Sequence, residues 1–259
     1  MFDSHCHLDD PRIDLDVAIQ SLRAAGVSAA MIAGYGPERT EHAEAIRSHS
    51  LTDDTLRLYR AVGLHPWWLA DNPGRSAEGF KALHAQARQP GVSALGEIGL
   101  DATRRKQLPA ADQRRYFARG LAIANEVGLP VVLHLVGWHG HAQAELASCR
   151  PVCGGVVHRF GGPCEVIGPY LDAGLHLSLD VIAFRRDPAK VRRLAAEIPD
   201  HRLVLETDWP ERGVTYEQSL AELARLYALL AADRGMSNEE FTALIDANNA
   251  ALYRVSPPS

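Results

Sequence analysis

Six side chains of this sequence could together bind and use divalent cations: His5 and His7, at positions i and i+2, with Glu97, His134, His158 and Asp208. On an extended segment, His5 and His7 point the same way. Imidazole nitrogens with a bridging carboxylate suit Zn²⁺, Mn²⁺, Mg²⁺ or a similar ion, and six ligands of these types match two adjacent ions. Such a centre activates water for hydrolysis. Taken singly, each residue is weak evidence, because a His-x-His at a strand end is often incidental and a buried histidine is often a hydrogen-bonded core residue. Jointly they weigh more, since an uncompensated carboxylate among several imidazoles is costly to bury without a cation.

Their value depends on the elements that carry them. Short β-rich runs occur at 2–5, 28–33, 58–63, 92–96, 131–134, 155–158, 175–179 and 203–207, alternating with helical patterns. One such helix is expected over 110–128, with an apolar stripe through Phe117, Leu121 and Ala124 that stops at Gly128-Leu129-Pro130. Two more are expected at 216–233 and 237–252, followed by a frayed tail at 255–259. Eight strand–helix alternations predict a parallel sheet closed into a (β/α)₈ barrel, a single domain over residues 1–259. The candidate residues all fall at the C-terminal ends of strands, the face on which such barrels build active sites.

Composition sets limits. The 259 residues are 46% hydrophobic and 23% charged, as in an ordinary globular protein. The N-terminus carries charge where a signal peptide needs its apolar stretch, and no run reaches membrane-span length, so a cytoplasmic protein is expected. The formal charge of −5 offers no general basic field for long duplex, so any nucleic-acid contact must be local. The four cysteines lack paired CxxC spacing and read as reduced thiols.

The segments Asp3-Ser4-His5-Cys6-His7-Leu8-Asp9, Gly63-Leu64-His65-Pro66-Trp67, Gly96-Glu97-Ile98-Gly99-Leu100-Asp101, Pro130-Val131-Val132-Leu133-His134, His158-Arg159-Phe160-Gly161-Gly162 and Glu206-Thr207-Asp208-Trp209-Pro210 resemble the ordered motifs of the TatD-type metal-dependent deoxyribonucleases of the amidohydrolase superfamily. Asn248-Asn249-Ala250-Ala251-Leu252-Tyr253 resembles that family's C-terminal signature, so the likeness covers nearly the whole chain. The resemblance implies that His5, His7, Glu97 and Asp208 hold one ion. Glu97, His134 and His158 would hold a second, and Asp208 would handle the proton of the attacking water. His65 would lie outside the ligand set and contact phosphate.

Three positions depart from the family pattern. Leu135-Val136 stand where a basic residue is usual after His134, Arg159 replaces a small or polar residue, and Trp209 replaces a small one. Arg104, Arg105, Lys106, Arg159, Arg185, Arg186 and Arg212 follow strand ends and could make the catalytic face locally basic. Trp67 and Trp209 could stack on unpaired bases, with Arg159 contacting phosphate. Trp68 and Phe160 read as packing residues, and His139 and His141 as solvent-facing residues at a helix start.

These readings point to a metal-dependent phosphodiesterase acting on single-stranded or frayed DNA ends, with RNA as a further substrate. Protein partners are not legible. The rival reading is an amide or ester hydrolase, for example of an aminoacyl ester. Many such amidohydrolases bridge their ions with a carboxylated lysine, and none of the three lysines here, Lys81, Lys106 and Lys190, ends a strand. A non-catalytic partner subunit is a third reading, opposed by the presence of all six ligand types.

Overall fold

The computed structural model describes residues 1–49 and 55–256. Residues 257–259 of the expected frayed tail lie outside that range.

Eight strands run in sequence order around the sheet, every neighbouring pair parallel: β1 (Phe2–Cys6), β2 (Ala29–Ile32), β3 (Arg57–Val62), β4 (Val92–Asp101), β5 (Val131–Val136), β6 (Gly155–Val157), β7 (Leu175–Asp180) and β8 (Leu203–Glu206). All eight expected runs are strands, and the expected single-domain barrel is the architecture. Among the described residues no helix is long and apolar enough to cross a membrane.

Helices wrap the outside of the barrel because their apolar stripes need a sheet face to cover. Helix α1 (Leu15–Ala24) follows β1, and α2 (Thr40–His49) follows β2. Next come α3 (Pro66–Asp71) and α4 (Ser76–Gln86) after β3, α5 (Ala110–Val127) after β4 and α6 (His139–Ser148) after β5. The circuit is completed by α7 (Ile167–Asp172), α8 (Val181–Arg186), α9 (Pro188–Glu197), α10 (Tyr216–Asp233) and α11 (Asn238–Tyr253). Helix α5 ends as its sequence predicts, with Gly128 in the left-handed region at φ 73°. Helices α10 and α11 both begin with reciprocal capping boxes, Thr215 with Gln218 and Ser237 with Glu240.

There are two apolar layers. One lies between sheet and helices. The other fills the barrel itself with Phe2, Met31, Val132, Val156 and Val204, and is plugged from below by Leu252 and Tyr253 of α11. That helix is pinned to the barrel floor by polar contacts: Asn248 Nδ2 donates to the carbonyls of Asp200 (2.6 Å) and Leu203 (2.8 Å), and the Tyr253 hydroxyl to that of Ser4 (2.8 Å). The C-terminal signature is thus a floor, which leaves the opposite end of the barrel open for chemistry.

The seam between β8 and β1 is tied by one carboxylate. Fully buried Asp3 accepts the Thr207 backbone N–H (2.9 Å), the Thr207 hydroxyl (2.6 Å) and the Tyr216 hydroxyl (3.1 Å). Above it, Asp208 N–H donates to the His5 carbonyl (3.0 Å) and His7 N–H to the Trp209 carbonyl (2.7 Å). Burial pushes the Asp3 carboxyl up to about 7 against the pull of the Thr207 hydroxyl and backbone N–H. Asp3→Ala leaves the Thr207 N–H and two hydroxyls facing a dry seam. It is expected to cost about 3 kcal/mol of stability, measured by denaturant unfolding, from the penalty for orphaned buried donors. A loss below about 0.5 kcal/mol would show that the seam does not depend on this carboxylate.

Candidate metal centre

The open end of the barrel is a cavity of about 580 Å³ whose floor carries His7, His65, Glu97, His134, His158 and Asp208. Glu97 is its centre, and its position is set by close backbone packing on either side. Gly63 abuts the Glu97 backbone where a Cβ would not fit, and Gly99, at φ 149°, lies against the His134 carbonyl. Strand β4 therefore continues to Asp101, beyond the expected run of 92–96.

Ligand-type atoms gather on both sides of the Glu97 carboxylate. Facing Oε2 are His7 Nε2 (3.1 Å) and His5 Nε2 (3.6 Å), with Asp208 Oδ1 3.7 and 3.8 Å from the two imidazoles. Facing Oε1 are His158 Nε2 (2.8 Å) and His134 Nδ1 (3.3 Å), themselves 3.1 Å apart. Glu97 is completely buried, yet neither oxygen has a hydrogen-bond partner among the described residues. The nitrogens are near but not aligned to donate. Ligands held 2.0–2.2 Å from a common cation stand roughly 3–3.6 Å from one another, so this convergence fits metal coordination better than hydrogen bonding.

Surrounding groups aim the ligands. His134 Nε2 lies 3.0 Å from Asp101 Oδ2, which fixes the proton there and turns the Nδ1 lone pair toward Glu97. The same Oδ2 accepts Trp67 Nε1–H at 2.6 Å. His158 Nδ1 is 3.3 Å from Glu206 Oε1, and His7 Nδ1 is 3.6 Å from Asp9 Oδ1. The rings of His5 and His158 stack at 4.1 Å.

Burial would raise the Glu97 carboxyl, but the surrounding imidazoles, His158 foremost, hold it well below the usual carboxylate range. Asp208 is likewise lowered, its burial outweighed by His158, His5, Arg159 and His7. In the imidazoles the balance is reversed: burial disfavours their charge, but Glu97 and Asp9 lift His7 to about 10, Glu97 and Glu206 lift His158, and Asp101 and Glu97 lift His134.

His65 behaves differently from its neighbours. It stands against the cluster, with Nε2 3.2 Å from His134 Nδ1 and 3.6 Å from Glu97 Oε1. Burial and neighbouring imidazoles keep it neutral, and its Nδ1 accepts the Trp67 backbone N–H at 3.0 Å. The proton must then sit on Nε2, so this atom is a donor aimed into the cavity.

Arg159 does not stand free in its loop. Its Nη1 donates to Asp208 Oδ2 at 2.9 Å and its Nε lies 3.7 Å from Asp180 Oδ1. Asp208 is thereby held with Oδ1 toward the imidazoles. Trp209 departs further from expectation, since its ring stacks on Tyr216 at 4.6 Å and its Nε1 donates to the Val214 carbonyl. It faces a neighbouring cavity rather than the metal-facing one, which removes the geometric basis for base stacking beside the cluster. Trp67 does line the central cavity, with the Arg104 guanidinium 4.6 Å from its ring centroid. His139 is not solvent-facing either: half-buried, it pairs its Nδ1 with the Tyr170 hydroxyl at 2.8 Å. Trp68 and Phe160 are buried packing residues, as their positions suggest.

The orienting role of Asp101 is not visible in sequence, although its place four residues beyond Glu97 on the same strand is the available signal. Arg12 and Arg39 also line the cavity. They follow β1 and β2, and β2 ends in no chemical residue that would draw attention to its loop. None of the three lysines lines the cavity, consistent with a carboxylate bridge.

Residues 2–254 match the family described as TatD related DNase. The chain is 30% identical to the 3′-5′ ssDNA/RNA exonuclease TatD of Klebsiella pneumoniae, the alignment covering 98% of each. It is 28% identical to the uncharacterized metal-dependent hydrolase YabD of Bacillus subtilis, over 99% of this chain and 100% of that one. Among solved structures, the Escherichia coli TatD homologue YjjV superposes with a TM-score of 0.86 at 26% identity, over 99% of this chain and 98% of that one. The chain therefore belongs to the TatD-related DNase family of metal-dependent hydrolases.

Proposed function

We propose that the protein is a phosphodiesterase that removes nucleotides from the 3′ ends of single-stranded DNA, and of RNA, using two divalent ions of the Mg²⁺, Mn²⁺ or Zn²⁺ type. The observation that carries this reading is the buried Glu97 carboxylate, with one oxygen toward His5, His7 and Asp208 and the other toward His134 and His158. Two ions held there would supply Lewis acidity toward water and the phosphoryl oxygens. The polarity and the single-stranded substrate rest on the name of the Klebsiella relative.

The side chains divide the remaining work. Asp208 accepts the proton of the attacking water at Oδ1, while Arg159 holds Oδ2 and keeps the carboxylate ionised. His65 donates its Nε2–H to a phosphoryl oxygen. Arg12, Arg39, Arg186 and Arg212 around the cavity neutralise further phosphates, although the chain as a whole is acidic.

Glu97→Ala is expected to abolish hydrolysis and to cost at least one bound ion per chain by elemental analysis; full metal content with unchanged activity would remove the bridge from the account. Asp208→Asn keeps an oxygen near the cluster but loses the proton acceptor. Its kcat should fall by about 10²–10⁴ while substrate binding survives better, and near-wild-type kcat would rule Asp208 out as the base.

Metal affinity should depend on pH with a definite sign. His7, His134 and His158 are raised, so at neutral pH their protons compete with a cation. Apparent affinity for Mn²⁺, measured by calorimetry between pH 6 and 8, should rise with pH, by up to about tenfold per unit for each proton displaced. A flat profile would contradict this reading of the imidazoles.

A further inference from the structure

The barrel mouth is chemically lopsided. Four of the five arginines lining the central cavity, Arg12, Arg39, Arg186 and Arg212, lie in or beside the segments that follow β1, β2, β7 and β8; Arg12 pairs with Asp10 and Arg39 lies near Asp9 and Asp10, while Arg186 and Arg212 stand in no ion pair among the described residues. On the opposite side, a second cavity of about 370 Å³ adjoins the cluster, sharing Trp67, His134, His158 and Arg159 with the first. Its remaining wall combines apolar or small residues, Leu135, Val136, Gly137, Gly161 and Gly162, with His139, which burial keeps neutral and which pairs with the Tyr170 hydroxyl. Apart from His134 and His158, which belong to the cluster, the one cationic side chain lining it, Arg159, is engaged with Asp208, and the one carboxylate, Asp101, is engaged with Trp67, His134 and Thr103.

Apolar surface is left uncovered in this cavity. Only four large hydrophobic side chains are exposed among the described residues, and two of them, Trp67 at 40% and Val136 at 39%, line it. Exposed apolar groups gathered beside a catalytic cluster mark a binding surface rather than a packing defect. Trp67 is also held in place, by its hydrogen bond to Asp101 and by Arg104 against its ring, so it offers a rigid aromatic surface.

We propose that this neutral cavity receives the base of the terminal nucleotide, while the rest of the strand leaves over the arginine side. The inference rests on the phosphodiesterase reading above. A phosphate in the neutral cavity would meet no uncommitted cation, whereas a base has no charge and a flat apolar face for Trp67. A strand continuing in both directions would need cations on both sides of the cluster. A terminal nucleotide has no phosphate beyond its sugar, and its base matches the uncharged side.

The test compares two single-stranded oligonucleotides that differ only at the 3′ terminus, one ending in a normal nucleotide and one in an abasic residue. Stacking of about 1–3 kcal/mol per base predicts a wild-type preference in kcat/KM of about 5- to 150-fold for the base-bearing end. Trp67→Ala and Val136→Glu should bring the ratio toward one by slowing the base-bearing substrate, and Trp67→Phe should retain most of it. Binding gives an independent readout: in calorimetry, wild type should hold a nucleoside 5′-monophosphate more tightly than deoxyribose 5-phosphate by a similar factor. Equal wild-type rates on the two ends, or a ratio unmoved by both Trp67→Ala and Val136→Glu, would overturn the base pocket and leave the phosphodiesterase reading standing. Failure to cut either oligonucleotide or bis-p-nitrophenyl phosphate would overturn that reading and the pocket with it.

Discussion

A carboxylate with no exposure to water and, among the described residues, no hydrogen-bond donor on either oxygen is the constraint on which the rest of this molecule depends. Burying such a group costs several kcal/mol unless positive charge meets it. Raised imidazoles from three other strand ends, His7, His134 and His158, meet Glu97, and no single strand could supply that compensation. The barrel makes it possible because parallel strands point all their C-terminal ends to one mouth, so residues far apart in sequence converge. Stability and chemistry are coupled here: the cluster that pulls the fold inward at Glu97 is the cluster that can hold cations.

The supports follow from that demand. The lower half of the barrel is dry and is plugged by Leu252 and Tyr253, so water reaches the cluster from the open end. Asp3 ties β8 to β1, the two strands whose ends bring Asp208 beside His5 and His7. Asp101, Glu206 and Asp9 stand behind His134, His158 and His7 respectively, each placing negative charge at the ring nitrogen turned away from Glu97. Such partners fix tautomer and ring orientation, which a flexible imidazole alone would not keep.

Much of this was legible in sequence. Most barrel strands, buried on both faces, read as short apolar runs, whereas β1 (Phe2–Cys6) has no Val, Leu or Ile, and the six ligand-type residues stand out at or beside the strand ends. Strand β4 runs past the expected 92–96 to Asp101, with Gly96 and Gly99 serving close strand contact. What could not be read was direction. The ring of Trp209 turns onto Tyr216 and that of His139 onto Tyr170, and these choices depend on neighbours brought by other elements. Arg159 was visible as a cation near the site, but its pairing with Asp208 arises only when the ends of β6 and β8 meet at the mouth.

The central claim, that Glu97 bridges two cations, is tested most directly by anomalous diffraction from crystals of the protein equilibrated with Mn²⁺. The account predicts two peaks about 3.5–4 Å apart. One should face Glu97 Oε2 with His5, His7 and Asp208, and the other Oε1 with His134 and His158. A single peak, or metal bound only away from Glu97, would contradict it.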